Sequence, residues 1–140
     1  MTQETDWDVR LTDVRENTAD GCFTVGLSED EQGAARHLIL QCSLQPPDEQ
    51  DVRLGMDTYC TITEEGATAY GGVAGATLRD SVLRLRFTPA TADELELTEP
   101  SLSLRLRVPG ERITELGRAL RRVLTYGTPD HRPAVLDLEV

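Results

Sequence analysis

Apolar and polar residues alternate over much of the chain, and a two-residue period predicts strands. Trp7 to Leu11 alternates, as do Phe23, Val25 and Leu27 against Cys22, Thr24 and Gly26. His37 to Leu44 places Leu38, Leu40, Cys42 and Leu44 on one face. Ile39 on the other face predicts a central strand. Pro46-Pro47 ends that strand, because proline has no N–H to give a ladder. Asp48 to Gly55 is a loop or a single helical turn. Met56 to Thr63, rich in Thr, Tyr and Ile, is a strand. Glu64-Glu65-Gly66 predicts a hairpin turn, with Gly66 at positive φ. Ala67 to Leu78 continues as an irregular strand, and Gly71-Gly72 predicts a bulge or bend within it. Leu83, Leu85 and Phe87 alternate with Arg84 and Arg86. Leu102, Leu104, Leu106 and Val108 alternate with Ser101, Ser103, Arg105 and Arg107. Val135 to Val140 is a last strand.

The period changes once, near the C-terminus. Ile113, Leu116, Leu120, Val123 and Leu124 fall on one face of a 3.6-residue repeat, predicting a helix over Glu111 to Tyr126. Glu111 and Glu115 near its start, and Arg118, Arg121 and Arg122 near its end, suit the macrodipole. Gly127 is its stop. Gly117 on the buried face predicts close packing of helix on sheet. Thr88-Pro89 has the cap and first-turn proline of a short helix over 89–97. The expected fold is α+β: a mainly antiparallel β-sheet of about seven or eight strands, with one long C-terminal helix packed on one face. A length of 140 residues fits one domain, 1–140.

Charge narrows the function. The net charge is −11, and all 14 basic residues are Arg. Residues 1–66 carry 15 acids against 4 arginines, whereas 67–140 are neutral. The first half repels nucleic acid and anionic lipid and attracts a basic macromolecule. No apolar run approaches the ~18 residues of a membrane span. The start, MTQETDWDVR, lacks the basic and apolar regions of a secretory signal, so a cytoplasmic location is expected. Cys22, Cys42 and Cys60 are odd in number and dispersed, with no CxxC. They are expected to be free, buried thiols without disulfide or zinc.

Catalysis finds little support. His37 opens a strand and His131 sits in a polar loop, with no GxSxG for a nucleophile elbow. Gly71-Gly72-Val73-Ala74-Gly75 leads into a strand, not the helix N-terminus a phosphate needs. No enzyme activity and no cofactor are expected. Asp48, Glu49, Asp51 and Asp57 lack calcium-loop spacing, since the twelfth position from Asp48 is Tyr59. The arginines of 83–87 and 102–108 are expected to balance neighbouring acids.

The remaining reading is a surface for a protein partner, comprising Asp48, Glu49, Asp51, Asp57, Tyr59, Glu64, Glu65 and Tyr70. If Met56, Thr58, Cys60 and Ile62 face the core, Tyr59 stands outside beside Asp57, an aromatic among carboxylates. The reverse assignment of faces buries Tyr59.

The segment LQCSLQPPDEQDVRLGMDTYCTITEEGATAYGGV, residues 40–73, resembles the immunity protein 10 family of bacterial polymorphic toxin systems. Leu40-Gln41 with Ser43-Leu44, Asp48-Glu49-Gln50-Asp51, Leu54-Gly55-Met56-Asp57 and Tyr70-Gly71-Gly72 carry the likeness. Glu16-Asn17 with Gly21-Cys22-Phe23, and the C-terminal helix, are compatible with it. Pro46-Pro47 departs from the family pattern. The resemblance implies a non-enzymatic protein that binds and neutralises a cognate toxin, often a nuclease, in the producing cell. It implies no catalytic residues. The rival class is a small ligand-binding or accessory domain that uses the Gly-rich sheet as a pocket wall.

Overall fold

A computed structural model describes residues 5–32, 35–54, 57–127, 129 and 132–138. The chain runs β1 (Trp7–Val9), β2 (Leu11–Asn17), β3 (Cys22–Ser28), β4 (His37–Ser43), α1 (Glu49–Arg53), β5 (Cys60–Thr63) and β6 (Thr68–Tyr70). It continues through β7 (Val73–Arg79), β8 (Val82–Phe87), α2 (Pro89–Glu94), β9 (Ser101–Leu106), α3 (Gly110–Leu124) and β10 (Val135–Leu138). Among the described residues the strands form two five-stranded sheets, β1-β9-β8-β7-β10 and β2-β3-β4-β5-β6.

The class is α+β and the pairing is mainly antiparallel, but the single sheet of seven or eight strands is corrected to these two. The chain changes sheet at two short joints. Arg10 separates β1 from β2, and Gly71-Gly72 separates β6 from β7. Alternation assigns faces to a strand but does not say which strand lies beside it. Both inner faces feed one core, so strands of either sheet have the same pattern. Two pairings are parallel, β1 with β9 and β10 with β7. β4 is the central strand of its sheet, as Ile39 indicated.

The Gly71-Gly72 joint is tight. Gly72 has φ +83°, and a Cβ there would lie 1.9 Å from Thr91 Oγ1 on α2. The register of β7 against β8 then shifts between Val73 and Gly75. Thr88 caps α2, its Oγ1 accepting from Thr91 N–H at 3.2 Å. Gly71-Gly72 is therefore a packed crossover against α2, while Gly75 beyond it lines an open groove of about 310 Å³.

α3 buries Leu116, Gly117, Ala119, Leu120, Val123 and Leu124, whereas Ile113 is only half-buried. It lies on the inner faces of β2, β3 and β4 and reaches β10. Arg122 fixes its outer flank, stacking 4.0 Å above the Phe23 ring and pairing with Glu16 at 2.8 Å. Cys22, Cys42 and Cys60 are free thiols, dispersed in sequence but carried on the neighbouring strands β3, β4 and β5. Cys42 and Cys60 are buried and Cys22 only partly so. Burial pushes the Cys42 thiol up to about 11. His131, Gly55, Met56, Glu139 and Val140, which entered the sequence reading, lie outside the described residues.

Candidate functional site

The eight expected partner residues divide into three places. Asp48, Glu49 and Asp51 belong to α1. Its first turn is closed by a capping box: Asp48 Oδ1 accepts from Asp51 N–H at 2.8 Å, and Asp51 Oδ2 accepts from Asp48 N–H at 3.0 Å. None of the residues of α1 is buried. Val52 is 56% exposed and Leu54 62%, the two most exposed large hydrophobics among the described residues. The sequence reading missed both. Their signal is an apolar pair after DEQD with no periodic partner elsewhere in the turn.

Tyr70 closes β6 on the outer face of its sheet and is 43% exposed. It shares a face with Cys60, its pairing partner, and through Cys60 with Gln41. A recess of about 270 Å³ between α1 and the sheet is lined by Asp20, Cys22, Asp51, Cys60, Tyr70 and Tyr126, among others. Tyr126 closes one side, its hydroxyl donating to Gln45 O at 2.6 Å. Partial burial raises the Tyr70 and Tyr126 hydroxyls above their ordinary values, so both are neutral donors. Asp51 of α1 and Tyr70 thus line one recess, and Val52 and Leu54 are exposed in the same short helix and its C-cap.

Glu64 and Glu65 lie elsewhere. They form the exposed β5–β6 hairpin, where Gly66 takes φ +86° and Gly66 N–H donates to Thr63 O at 2.9 Å. β5 runs between this hairpin and the Tyr70 end. Four residues at ~3.3 Å each put the hairpin roughly 13 Å from Cys60.

Asp57 and Tyr59 are corrected. Tyr59 is fully buried and Asp57 is 5% exposed. The reverse face assignment is the one adopted, with Tyr59 inward and Thr61 and Thr63 on the core side. Two contacts explain it. Tyr59 Oη accepts from Val73 N–H at 3.1 Å, and Tyr59 O accepts from Gly71 N–H at 2.9 Å, so the ring fastens the crossover between the sheets. Behind α3, Gly127 pairs with Thr58. Its φ is +82°, and a Cβ there would meet Asp57 O at 2.0 Å, so backbone covers Asp57 directly. Neither residue presents a face to a partner.

The arginines of 83–87 and 102–108 meet the expected balance with acids only in part. Arg107 pairs with Asp8 at 3.3 Å, and Arg79 with Asp137. Arg84, Arg86 and Arg105 have no ion-pair partner among the described residues. No group of three or more His, Cys, Asp or Glu among the described residues is arranged to hold a metal ion. No helix among them is long and apolar enough to cross a membrane.

A family model described as Immunity protein 10 matches residues 8–114, from within β1 to the first turns of α3. No match is found among curated proteins or among solved structures. The matched span covers well over half of the sequence and includes α1, Tyr70 and the recess lining except Tyr126, and the chain belongs to the Immunity protein 10 family.

Proposed function

We propose that the protein neutralises a cognate toxin of a polymorphic toxin system by binding it through the surface of α1, Tyr70 and the recess between them. One observation within the family assignment carries the site. Val52 and Leu54 are exposed apolar side chains in the same short helix and cap as Asp48, Glu49 and Asp51, and the exposed Tyr70 shares the recess with Asp51. Apolar anchors within a charged surround are the composition of a binding hot spot. The acidic rim fits a basic toxin, of which a nuclease is one class, because a nuclease is basic where it grips nucleic acid. The protein acts by binding in the cytoplasm, with no catalytic step of its own and no cofactor.

Co-expression with a candidate toxin from a neighbouring gene tests the reading. The wild-type chain restores growth. Val52→Ala combined with Leu54→Ala and Tyr70→Ala leaves the fold intact, because all three side chains are exposed. It speeds dissociation of the complex and costs roughly 2 kcal/mol or more of affinity if the cluster is an anchor. Unchanged rescue and unchanged dissociation by the folded triple variant place the interface elsewhere.

A further inference from the structure

The outer face of the β1-β9-β8-β7-β10 sheet carries an excess of arginine among the described residues. The register places Arg84 and Arg86 of β8 opposite Ser103 and Ser101 of β9, and Arg105 opposite Val82, all on the side away from Leu83, Leu85 and Leu104. Six arginines lie on or beside this face: Arg10, Arg79, Arg84, Arg86, Arg105 and Arg107. Three aspartates answer them. Asp8 pairs with Arg10 and Arg107, Asp137 pairs with Arg79, and Asp6 accepts from Ser103 N–H at 2.7 Å. Arg84, Arg86 and Arg105 make no ion pair among the described residues, although the register sets Asp8 beside Arg105. Arg84 and Arg86 flank an open groove of about 310 Å³ that also presents Thr77, Ser101 and Ser103. Guanidinium groups and hydroxyls are hydrogen-bond donors in a form suited to carboxylates.

The other sheet has the opposite sign. Residues 11–70, which build β2 to β6 and α1, hold 12 acids against 3 arginines. Three of those acids stand within four residues of one another at the start of α1. We propose that the arginine face docks a second copy of this chain, head to tail, with Arg84, Arg86 and Arg105 of one copy against the Asp48–Asp51 rim of the other.

The size of the face sets the strength. Five strands of three to seven residues, ~3.3 Å per residue and ~4.8 Å apart, give roughly 400 Å² per copy. That is below the ~800 Å² per partner of a stable complex, so the contact is weak and concentration-dependent. Charge limits its growth, because each added copy brings −11 and the repulsion accumulates. Dimers are expected in place of long filaments. Nucleic acid is the poorer occupant: no aromatic ring stands among the residues of this face, and the whole chain repels phosphate.

Sedimentation equilibrium of the purified chain tests the proposal without any toxin, so failure of the toxin reading does not touch it. In ~0.15 M salt, where screening confines repulsion to ~8 Å, the weight-average mass rises with concentration, and 1 M salt abolishes the rise. Arg84→Glu with Arg86→Glu and Arg105→Glu weakens association at least tenfold. So does Asp48→Asn with Glu49→Gln and Asp51→Gln, which keeps the cap of α1. The decisive arm mixes the two variants. Each retains the face the other has lost, so the mixture forms a dimer capped at both ends. Should the arginine reversals unfold the chain, the glutamine versions serve in their place. Wild-type protein that stays monomeric to about 1 mM overturns the proposal. So does association that the arginine variant leaves unchanged, or a mixture that stays monomeric. A mobility shift with oligothymidylate that depends on the same arginines assigns the face to nucleic acid and also overturns it.

Discussion

Tyr59 is the residue on which the join between the sheets turns. Its hydroxyl accepts the Val73 N–H just past the Gly71-Gly72 crossover, inside a core that leaves the ring no exposed surface. Tyr59→Phe leaves that buried N–H without its acceptor, and the expected loss is about 1–3 kcal/mol in urea denaturation. The same burial pushes the Tyr59 hydroxyl up to about 12 from an ordinary 10.0, the Val73 N–H opposing the shift in part. Cys42 is pushed up to about 11 from 9.0 by burial, and Cys60 moves the same way. Raised values favour the neutral, protonated forms in the folded chain. Their stabilisation is complete below about pH 9, where folded and unfolded chains are both protonated. It is lost as pH rises from 9 to 12, where the unfolded chain releases these protons first. The melting temperature should therefore fall steeply over that window. Tyr59→Phe should flatten the decline between pH 10 and 12, and a decline of unchanged steepness there would remove Tyr59 from the cause.

At the level of elements, α3 is the cleanest case. Leu120 is fully buried in the layer where the helix meets β2, β3 and β4. Leu120→Ala should cost roughly 2–5 kcal/mol, the lost transfer energy plus the cavity left behind, as measured by chemical denaturation. The helix was legible because fifteen residues carry a 3.6 period through four turns. β4, β8 and β9 were legible because each alternates over six or seven residues. Other features were not, for specific reasons. β1 and β2 are one alternating run broken only at Arg10, so nothing local marks the change of sheet. Around Tyr59 both faces are poor in water, since Thr58, Cys60 and Thr61 are buried along with Tyr59. Alternation cannot orient a strand covered on both sides. α1 is five residues long, too short to show a period, so Val52 and Leu54 escaped notice while the acids beside them did not. The carboxylates of Asp48 and Asp51 were found correctly as a cluster, but their mutual capping, which fixes α1 at the surface, follows only from the backbone.

Over the whole molecule, the sequence-level split of charge becomes a split between sheets. The acids concentrate on β2 to β6 and α1, and Arg84, Arg86 and Arg105, which make no ion pair among the described residues, stand on the far sheet. Such a dipolar chain approaches a basic partner in a preferred orientation, with α1 leading. Long-range attraction of this kind accelerates encounter more than it prolongs the complex, and it fades once charges lie beyond a Debye length. The acids and the apolar cluster of the same site should therefore separate kinetically. Asp48→Asn with Glu49→Gln and Asp51→Gln removes three charges while keeping a cap and a box-forming amide for α1. The variant should associate with a basic toxin more slowly and lose less rate on going from ~0.01 M to ~0.15 M salt, with dissociation little changed. The Val52, Leu54 and Tyr70 alanine variant should do the reverse, keeping the association rate and its salt slope while dissociating faster. Stopped-flow association at several salt concentrations separates the two. If both variants alter only dissociation, the rim acts by contact and not by steering. If the charge variant keeps the wild-type salt slope, the attraction originates from the other acids of residues 11–70, with Glu64 and Glu65 on the β5–β6 hairpin the first to exchange.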